Sequence, residues 1–402
     1  MQIRPTPYVW LWSSTTSGAL ADGIAASVLP LLMVGLTHDP VTVSLLQVAS
    51  GLPWLVLGLH AGVLSDRWDR RRILWGADLF RTLIVIGLIL MVAADATTVP
   101  TLLTFALLYG GATVLFRSAS PAMLPSLVNE ADLAKANGRL HTGTTTTGSL
   151  AGPSLGGVLF TLASWVPLLT QAVALAISVI AILRLPSHPR PQPMARTAMR
   201  AEIAEGLRFI IQDPTLRVLA MATALLAAST GMLLAVLVLH VIDALRAPQG
   251  TYGLLFTLYA GGSLAAAAFF TKVHRRWGTR RCLIASASLG AVSLLIVGWG
   301  TTVIHAATGM ILLGVATMLY NIIAVTVRQQ RTPDHLLGRV SSVFNVIGVG
   351  SLPTAALAAG VIANAYGTRS SITLSAGLCA IATLGLLVIL PAREATPSSH
   401  KT

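Results

Sequence analysis

The carboxylate best placed to carry chemistry in this chain is Asp22, because it lies inside a long apolar segment. It follows Val9 by 13 residues, which is about 20 Å along a helix and beyond the middle of a bilayer core of about 30 Å. A charged side chain at that depth is costly and is typical of an ion or proton pathway. Its helical neighbours are small and leave room for a cavity: Gly18, Ala19, Ala25 and Ala26. We assign proton coupling to Asp22. The alternative is a helix break in which Asp22 and Gly23 only satisfy backbone groups.

A second group of charged residues lies in and around the third apolar run. Asp78 and Arg81 are three residues apart, a spacing that places both side chains on one helix face, where they can pair. They fall in the first turns of that run, close in sequence to Asp66, and Arg117 ends the fourth run on the same side. We interpret the group as a charge cluster at a cytoplasmic gate rather than a substrate site. Its members are Gly62, Asp66, Arg67, Arg70, Arg71, Asp78, Arg81 and Arg117.

A glycine-rich segment occupies the middle of the fifth apolar run. Gly148, Gly152 and Gly156 recur every four residues, which gives a helix one smooth face against which another helix can pack closely. Pro153 removes a backbone hydrogen bond and bends the helix, and Gly157 completes the pattern. Helix packing alone would explain the glycines, although the full pattern is more specific than packing requires.

A few uncharged polar side chains lie within other apolar runs. They are Tyr109, Tyr320, Asn321 and Asn345. We predict that they line a substrate cavity, and the alternative is that they form hydrogen bonds between helices.

The composition is typical of a polytopic membrane protein. Of the 402 residues, 54% are hydrophobic and 10% are charged, whereas about 25% of a globular protein is charged. The formal charge of +13 comes from arginines in short loops between apolar runs, so we predict no nucleic-acid binding. None of the three lysines follows a glycine, so no phosphate-binding loop is present. We expect no metal site and no cofactor.

Twelve apolar runs are long enough to cross a membrane. They cover residues 9–36, 43–64, 73–94, 101–118, 140–163, 166–185, 216–242, 252–271, 282–300, 303–327, 340–363 and 370–390. Arginines cluster in the loops after the second, eighth and tenth runs, while the opposite loops contain only Arg246 and Arg369. The positive-inside rule therefore predicts a multi-pass protein of the cell inner (plasma) membrane with both termini in the cytoplasm.

The chain repeats itself across its middle. Gly148 and Pro153 recur as Gly348 and Pro353 at the same offset, and Trp68 recurs as Trp277. We predict an all-α membrane protein of twelve transmembrane helices in two pseudo-symmetric six-helix halves, residues 1–185 and 214–402. Residues 186–213 form a cytoplasmic linker, in which apolar residues at helical spacing after Met199 predict an amphipathic surface helix.

Several motifs carry a family resemblance. The loop that runs from Gly62 through Asp66 and Arg67 to Arg72 resembles the signature loop of the major facilitator superfamily, which usually has glycine at the position of Asp69. The segment from Gly148 to Gly157 resembles the antiporter motif of major facilitator exporters. Other segments resemble the bacterial macrolide-efflux and siderophore-exporter branch, of the drug:proton antiporter type. They include Ala21-Asp22-Gly23-Ile24, Ala77-Asp78-Leu79-Phe80-Arg81 and the residues from Arg328 to Val340.

This resemblance implies a secondary active transporter and no enzyme activity. We predict a monomer that exports a hydrophobic or amphipathic small molecule, such as a drug, antibiotic, siderophore or secondary metabolite, by proton antiport with alternating access. One alternative is a proton-coupled importer of a small metabolite. Another is a membrane-embedded lipid or prenyl transferase, in which Asp66 and Asp69 would bind magnesium. The expected partners are a small-molecule substrate, protons and the lipid bilayer.

Overall fold

The computed structural model of the protein describes residues 7–129, 132–186 and 199–389, apart from the side chains of residues 59–67, 134, 199–203, 334 and 335. Within these ranges every regular element is a helix. The helices are α1 (Pro7–Leu36), α2 (Pro40–Arg67), α3 (Arg70–Ala93), α4 (Val99–Met123), α5 (Leu133–Thr145), α6 (Gly152–Phe160), α7 (Val166–Leu183), α8 (Met199–Gln212), α9 (Pro214–Leu239), α10 (Gln249–Trp299), α11 (Val303–Arg331), α12 (Asp334–Tyr366) and α13 (Thr368–Ile389). A 3-10 turn (Leu124–Ser126) extends α4, and π-helical segments lie at Thr146–Ala151 and His240–Ala244.

Ten of the described helices are long and apolar enough to cross a membrane when α10 is counted once. α10 contains two helices, because Gly278 inside it has φ 73° and ψ 168°, a backbone conformation that interrupts a helix. α5, the π-helical segment at Thr146–Ala151 and α6 continue one another and form a further span. Counting α10 as two spans and adding the span formed by α5 and α6 raises the number from ten to twelve. The prediction of an all-α membrane protein is therefore confirmed. The predicted division into two six-helix halves stays a prediction.

The turn before α3 shows how this chain does without the usual glycine. Asp69 has φ −60° and ψ 112°, and its carboxylate accepts a hydrogen bond from the Arg71 N–H at 2.9 Å. It therefore caps α3 in the manner of an N-cap aspartate, and this extended backbone needs no glycine. Gly278, at the corresponding break in α10, has the positive φ that favours glycine.

Buried apolar clusters show where the first six spans touch the last six. The largest cluster joins both sets, with Met33 of α1, Leu237 of α9 and Ala359 of α12 among its members. Two further clusters do not join them, since one lies within residues 11–185 and the other within residues 210–386. Both of these separate clusters lie at the arginine-rich end, where α2 joins α3 and α11 joins α12. The two sets therefore pack together at the opposite end.

The contact between α2 and α12 also includes the end opposite the arginine-rich loops. Ser44 meets Gly360, and Gly51 lies against the Pro353 ring, with 3.1 Å between its would-be methyl and Pro353 Cγ. Further along α2, a methyl group at Gly58 would have no neighbour within 4 Å. The described contact therefore runs from Ser44 to Leu55 of α2, where the would-be methyl of Gly350 lies 2.9 Å from Leu55 Cδ2.

The linker is described only in part. Residues 187–198 lie outside the described ranges, and a helix, α8, begins at Met199, where the amphipathic surface helix was predicted. Its position at the membrane surface stays a prediction. Glu205 of α8 pairs with Arg339 of α12, and a methyl group at Gly206 would lie 3.0 Å from the Arg339 carbonyl. α8 therefore packs directly on the start of α12.

Candidate functional site

Asp22 lies at the centre of a hydrogen-bonded ionic network that joins α1, α3 and α4. Its Oδ1 accepts hydrogen bonds from Arg81 Nη1 at 2.9 Å and from the Tyr109 hydroxyl at 3.0 Å. Its Oδ2 accepts a hydrogen bond from Arg117 Nη2 at 3.1 Å. The Asp22 side chain is 16% exposed, so its carboxylate is largely removed from bulk water. Three donors from two helices hold it in place.

Arg81 is fully buried, and two carboxylates compensate its charge. Besides Asp22, its guanidinium pairs with Asp78, one turn earlier on α3. Asp78 accepts a further hydrogen bond from the Ser178 hydroxyl of α7. A charge buried without a partner costs several kcal/mol, so the two carboxylates are what allows an arginine to lie inside the helix bundle. The guanidinium also lies 4.9 Å from the centre of the Phe116 ring.

The depth of this pair differs from the one predicted. Asp78 and Arg81 were expected in the first turns of the third span, close to Asp66 and at a cytoplasmic gate, but Arg81 reaches Asp22 inside the bundle. The reason is distance along α3: the helix begins at Arg70, so Arg81 is 11 residues in, about 16 Å from the start. The predicted proton-coupling residue and part of the predicted gate therefore form one network.

The other predicted gate residues occupy different places. Arg70 Nη1 donates a hydrogen bond to the Ala122 carbonyl at 2.6 Å, and Arg71 Nε donates one to the Ile182 carbonyl at 3.2 Å. These arginines cap the free carbonyls at the ends of α4 and α7. The side chains of Gly62, Asp66 and Arg67 lie outside the described residues.

A cavity of about 580 Å³ begins at Asp22 and extends to the ends of α4 and α5 at the arginine-rich end. Arg117 projects into it and is 55% exposed, whereas the Arg81 side chain is 1% exposed. His141 of α5 also lines the cavity. The largely buried Asp22 carboxylate thus pairs with Arg81, which is shielded from water, and with Arg117, which is exposed to the cavity.

The glycine motif determines how closely α1 approaches the fifth span. A methyl group on Gly152 would lie 2.8 Å from the Cα of Gly23, and one on Gly148 would lie 3.1 Å from the Ala19 carbonyl oxygen. A methyl group on Gly156 would overlap Ser27. The four-residue spacing of both helices brings small residues face to face along one line. This contact fixes the segment of α1 that carries Asp22.

Pro153 and Gly157 act at other points of the same span. The π-helical segment ends where the Gly152 N–H bonds to the Thr147 carbonyl, and α6 then begins with Pro153 in its first turn. A proline is tolerated there because the first N–H groups of a helix need no partner within it. Gly157 faces α10, where its would-be methyl lies 2.9 Å from the Cα of Gly253. It therefore packs the first six spans against the last six.

The structure brings two of the four predicted substrate-cavity residues together. Tyr320 and Asn321 line a second cavity, among α9 to α13, where the Tyr320 hydroxyl lies 3.0 Å from Thr223 Oγ1. Tyr109 belongs to the Asp22 network instead, and Asn345 is exposed on α12 and lines neither cavity.

Three network or cavity residues had no sequence-based assignment. Ser178 contacts Asp78, the Thr113 hydroxyl lies 3.3 Å from Arg81 Nη1, and His141 faces the larger cavity. A lone serine, threonine or histidine in an apolar run has no spacing that distinguishes it from a packing residue. Only the fold brings these side chains to the site.

The geometry is that of a polytopic membrane protein with a charged, water-accessible cavity between helices, and comparison with known families gives its class. The transmembrane secretion effector family of the major facilitator superfamily matches residues 2–402. The chain belongs to this family. The resemblance inferred from its motifs is confirmed.

Characterised relatives and solved structures agree with the assignment. The chain is 29% identical over 380 residues to the multidrug efflux pump Tap of Mycolicibacterium fortuitum, covering 90% of both chains. It is 28% identical over 379 residues to the enterobactin exporter EntS of Shigella boydii serotype 18, covering 92% of this chain and 89% of that one. A bacterial homologue of the iron transporter ferroportin, crystallised in an inward-facing state, shares the fold, with a TM-score of 0.78, 15% identity and coverage of 96% and 98%.

A mutant of the nucleoside transporter NupG also shares the fold, with a TM-score of 0.80, 13% identity and coverage of 96% of this chain and 100% of that one. Family and relatives together support a multi-pass membrane transporter of the efflux type that acts on small molecules. The alternative of a membrane-embedded transferase is set aside.

Proposed function

We propose that this transporter exports a hydrophobic or amphipathic small molecule in exchange for protons, and that Asp22 carries the proton. The observation behind the proposal is the carboxylate itself: Asp22 is held by Arg81, Tyr109 and Arg117 at the inner end of a water-accessible cavity. A carboxyl group that alternates between solvent on the two sides of the membrane can move one proton per cycle.

The net charge of the network would link protonation of Asp22 to release of one of its arginines. The network contains two carboxylates, Asp22 and Asp78, and two guanidinium groups, Arg81 and Arg117, so it is neutral while both carboxylates are ionised. A proton on Asp22 would leave one positive charge in excess. The arginine that is free to leave is Arg117, because it is half exposed while Arg81 is enclosed. His141 is the further titratable group that faces this cavity, from α5.

The cycle follows from this balance. We place the arginine-rich end in the cytoplasm, so the cavity in this conformation faces inward. Asp22 would release its proton there, and Arg81 and Arg117 would stabilise the resulting carboxylate. A substrate that enters the cavity would compete with Arg117 for the carboxylate or favour proton release. After the opposite end opens, Asp22 would take up a proton from the more acidic exterior, and the substrate would leave.

The direction of transport is supported by the relatives, which are named as a multidrug efflux pump and an enterobactin exporter. Their two named functions differ in substrate chemistry, so they support export without indicating a compound. The cavity volume of about 580 Å³ fits a drug-sized molecule. A proton-coupled importer remains the second candidate.

A transport assay separates the two candidates. Inverted membrane vesicles that contain the protein, and matched vesicles without it, are energised to make their interior acidic, and the accumulation of a panel of labelled antibiotics and siderophores is measured. Export from the cell appears as accumulation that collapses when nigericin dissipates the pH gradient. Accumulation that occurs only in right-side-out vesicles energised with an acidic exterior would establish import instead.

A further inference from the structure

The last six spans enclose a cavity at the place where the first six carry the Asp22 network. We propose that this cavity is a binding subsite for an uncharged, largely apolar part of the exported compound. It has a volume of about 240 Å³ and lies among α9, α10, α11, α12 and α13, and its lining contains no charged side chain. The inference rests on the proposed export function and specifies where part of the substrate binds.

The correspondence between the two sites begins with α1 and α9. The fifth and eleventh spans repeat at an offset of 200 residues, so Gly152 corresponds to Leu352. A methyl group on Gly23 of α1 would lie 3.0 Å from the Gly152 Cα, and one on Gly231 of α9 would lie 2.9 Å from the Leu352 Cα. Gly23 and Gly231 thus approach the Cα at equivalent positions of the two repeats, although the nearest atom is the Gly148 carbonyl oxygen for Gly23 and the Leu352 carbonyl oxygen for Gly231. The offset between α1 and α9 is therefore 208 residues.

Two other helix pairs have equally clear offsets. Thr98 is the N-cap of α4 and Thr302 is the N-cap of α11, both with extended backbone, which gives an offset of 204. Trp68 and Trp277 give an offset of 209 for α3 and the second helix of α10. The same offset pairs the two breaks before these helices, at Asp69 and Gly278.

With these offsets, each network residue of α1, α3 and α4 has a counterpart. Asp22 corresponds to Thr230, Arg81 to Gly290, Tyr109 to Leu313, Thr113 to Thr317 and Arg117 to Asn321. All five counterparts line the 240 Å³ cavity. The sixth, Ala287 in place of Asp78, is buried beside it. The same site of the repeat thus holds an ion network in one half of the chain and an open, neutral space in the other.

The chemistry of the lining indicates the ligand. Gly290 leaves the space empty, because nothing approaches its would-be methyl more closely than the Cys379 sulfur at 3.6 Å. Thr230 and Thr317 donate their hydroxyl protons to carbonyls of their own helices, at 2.9 and 2.8 Å, so their oxygens can accept a hydrogen bond from a ligand. A charged group would have no counter-charge among the lining residues, and burial without one is costly. The cavity therefore favours an apolar group with an uncharged polar substituent.

Cys379 offers a direct measure of occupancy. The chain has two cysteines, so a Cys282→Ser protein reports on Cys379 alone. The rate of Cys379 alkylation by N-ethylmaleimide is measured in the full-length protein in proteoliposomes, with chloramphenicol as an uncharged probe and ethidium as a cationic one. Chloramphenicol at twice its dissociation constant should slow alkylation about threefold, because about one third of the sites stay free. Ethidium should leave the rate unchanged.

A small and a large substitution at Gly290 provide matched variants for this protection assay. Gly290→Ala should keep chloramphenicol protection, because its methyl group makes ordinary contacts, whereas Gly290→Leu should abolish it by occupying the space. Thr317→Leu tests the opposite wall if Gly290→Leu does not fold. An alkylation rate that chloramphenicol does not change, or that ethidium slows equally, would overturn the subsite. The assay uses no proton gradient, so protection without proton-driven export would refute the antiport proposal and leave the subsite standing.

Discussion

Arg117 Nη2 lies 3.1 Å from Asp22 Oδ2, although 95 positions separate the two residues in the chain. The arginine is 55% exposed and the carboxylate is 16% exposed, so this contact lies at the water-facing edge of the network. Arg81, on the other oxygen of the same carboxylate, is enclosed by protein. The two arginines should therefore respond differently to mutation.

We predict that Arg117→Gln folds and loses transport, whereas Arg81→Gln fails to fold well. Removing one partner of a buried pair costs about 3–5 kcal/mol, and Arg81→Gln would leave Asp78 buried without its cation. An exposed ion pair contributes up to about 1 kcal/mol, so Arg117→Gln should change stability little. Unfolding temperatures in detergent and export rates of both variants would be measured. Equal loss of stability in the two variants would contradict this division.

The glycine contact between α1 and the fifth span predicts how alanine substitutions change stability. A methyl group on Gly23 would overlap the Gly148 carbonyl, so Gly23→Ala should force the helices apart at a cost of about 1–3 kcal/mol. Gly87→Ala is the matched control, because a methyl group there has no neighbour within 4 Å, and alanine should stabilise that helix by up to about 1 kcal/mol. Thermal unfolding of both variants tests this. A Gly23→Ala protein as stable as the wild type would refute the close contact.

The number and type of spans could be predicted from the sequence, because each apolar run has the length of a bilayer crossing. Asp22 could also be identified from the sequence, because it is a single carboxylate within an apolar run. Its partners were not recognisable. Arg81 and Arg117 lie 59 and 95 positions away, and the packing of three helices decides that they meet at one carboxylate.

The π-helical segment in the glycine motif also escaped prediction. Thr146–Ala151 shifts the register of the span by one residue before α6 begins, and no composition rule distinguishes such a segment from an α-helix. The neutral cavity was predicted only in part, through Tyr320 and Asn321. The rest of its lining includes residues such as Gly290 and Thr317, which look like ordinary packing positions until the repeat pairs them with Arg81 and Thr113.

The end opposite the arginine-rich loops offers a test of the conformational cycle. His38 Nδ1 lies 3.0 Å from Asp243 Oδ1, between the loop before α2 and the π-helical segment after α9. If the two sets of spans separate here during transport, then His38→Cys and Asp243→Cys joined by a bis-methanethiosulfonate cross-linker, which forms a disulfide with each cysteine, should stop export, and reduction of these disulfides with dithiothreitol should restore it. The background is a Cys282→Ser, Cys379→Ser protein with its own export rate measured. Undiminished export by the cross-linked protein would rule out opening at this end.

Membrane orientation requires an introduced cysteine. Cys282 lies near the predicted cytoplasmic face but is buried and, unlike Cys379, lines neither of the two cavities described, so a thiol reagent would not report its side. Arg72 is 77% exposed at the arginine-rich end. A membrane-impermeant maleimide should label Arg72→Cys in inverted vesicles and not in intact cells, in the same cysteine-free background. Labelling of intact cells would reverse the orientation of every span.

Substitutions of Asp22 test whether this carboxyl group carries the coupled proton. Asparagine at this position has the shape of a protonated carboxyl group, with one acceptor and one donor, and cannot ionise, so Asp22→Asn should abolish proton-driven export. Exchange of labelled for unlabelled substrate needs no proton step and should continue. Asp22→Glu, which restores an ionisable group, should recover part of the driven export.

The most direct measurement uses proteoliposomes that contain a trapped pH-sensitive dye and the purified protein. Substrate added to wild-type proteoliposomes should produce a change in internal pH at a rate that matches substrate movement, and the Asp22→Asn protein should give none while still exchanging substrate. If the Asp22→Asn protein moves protons with the substrate as the wild type does, then Asp22 is a structural residue and does not carry the coupled proton.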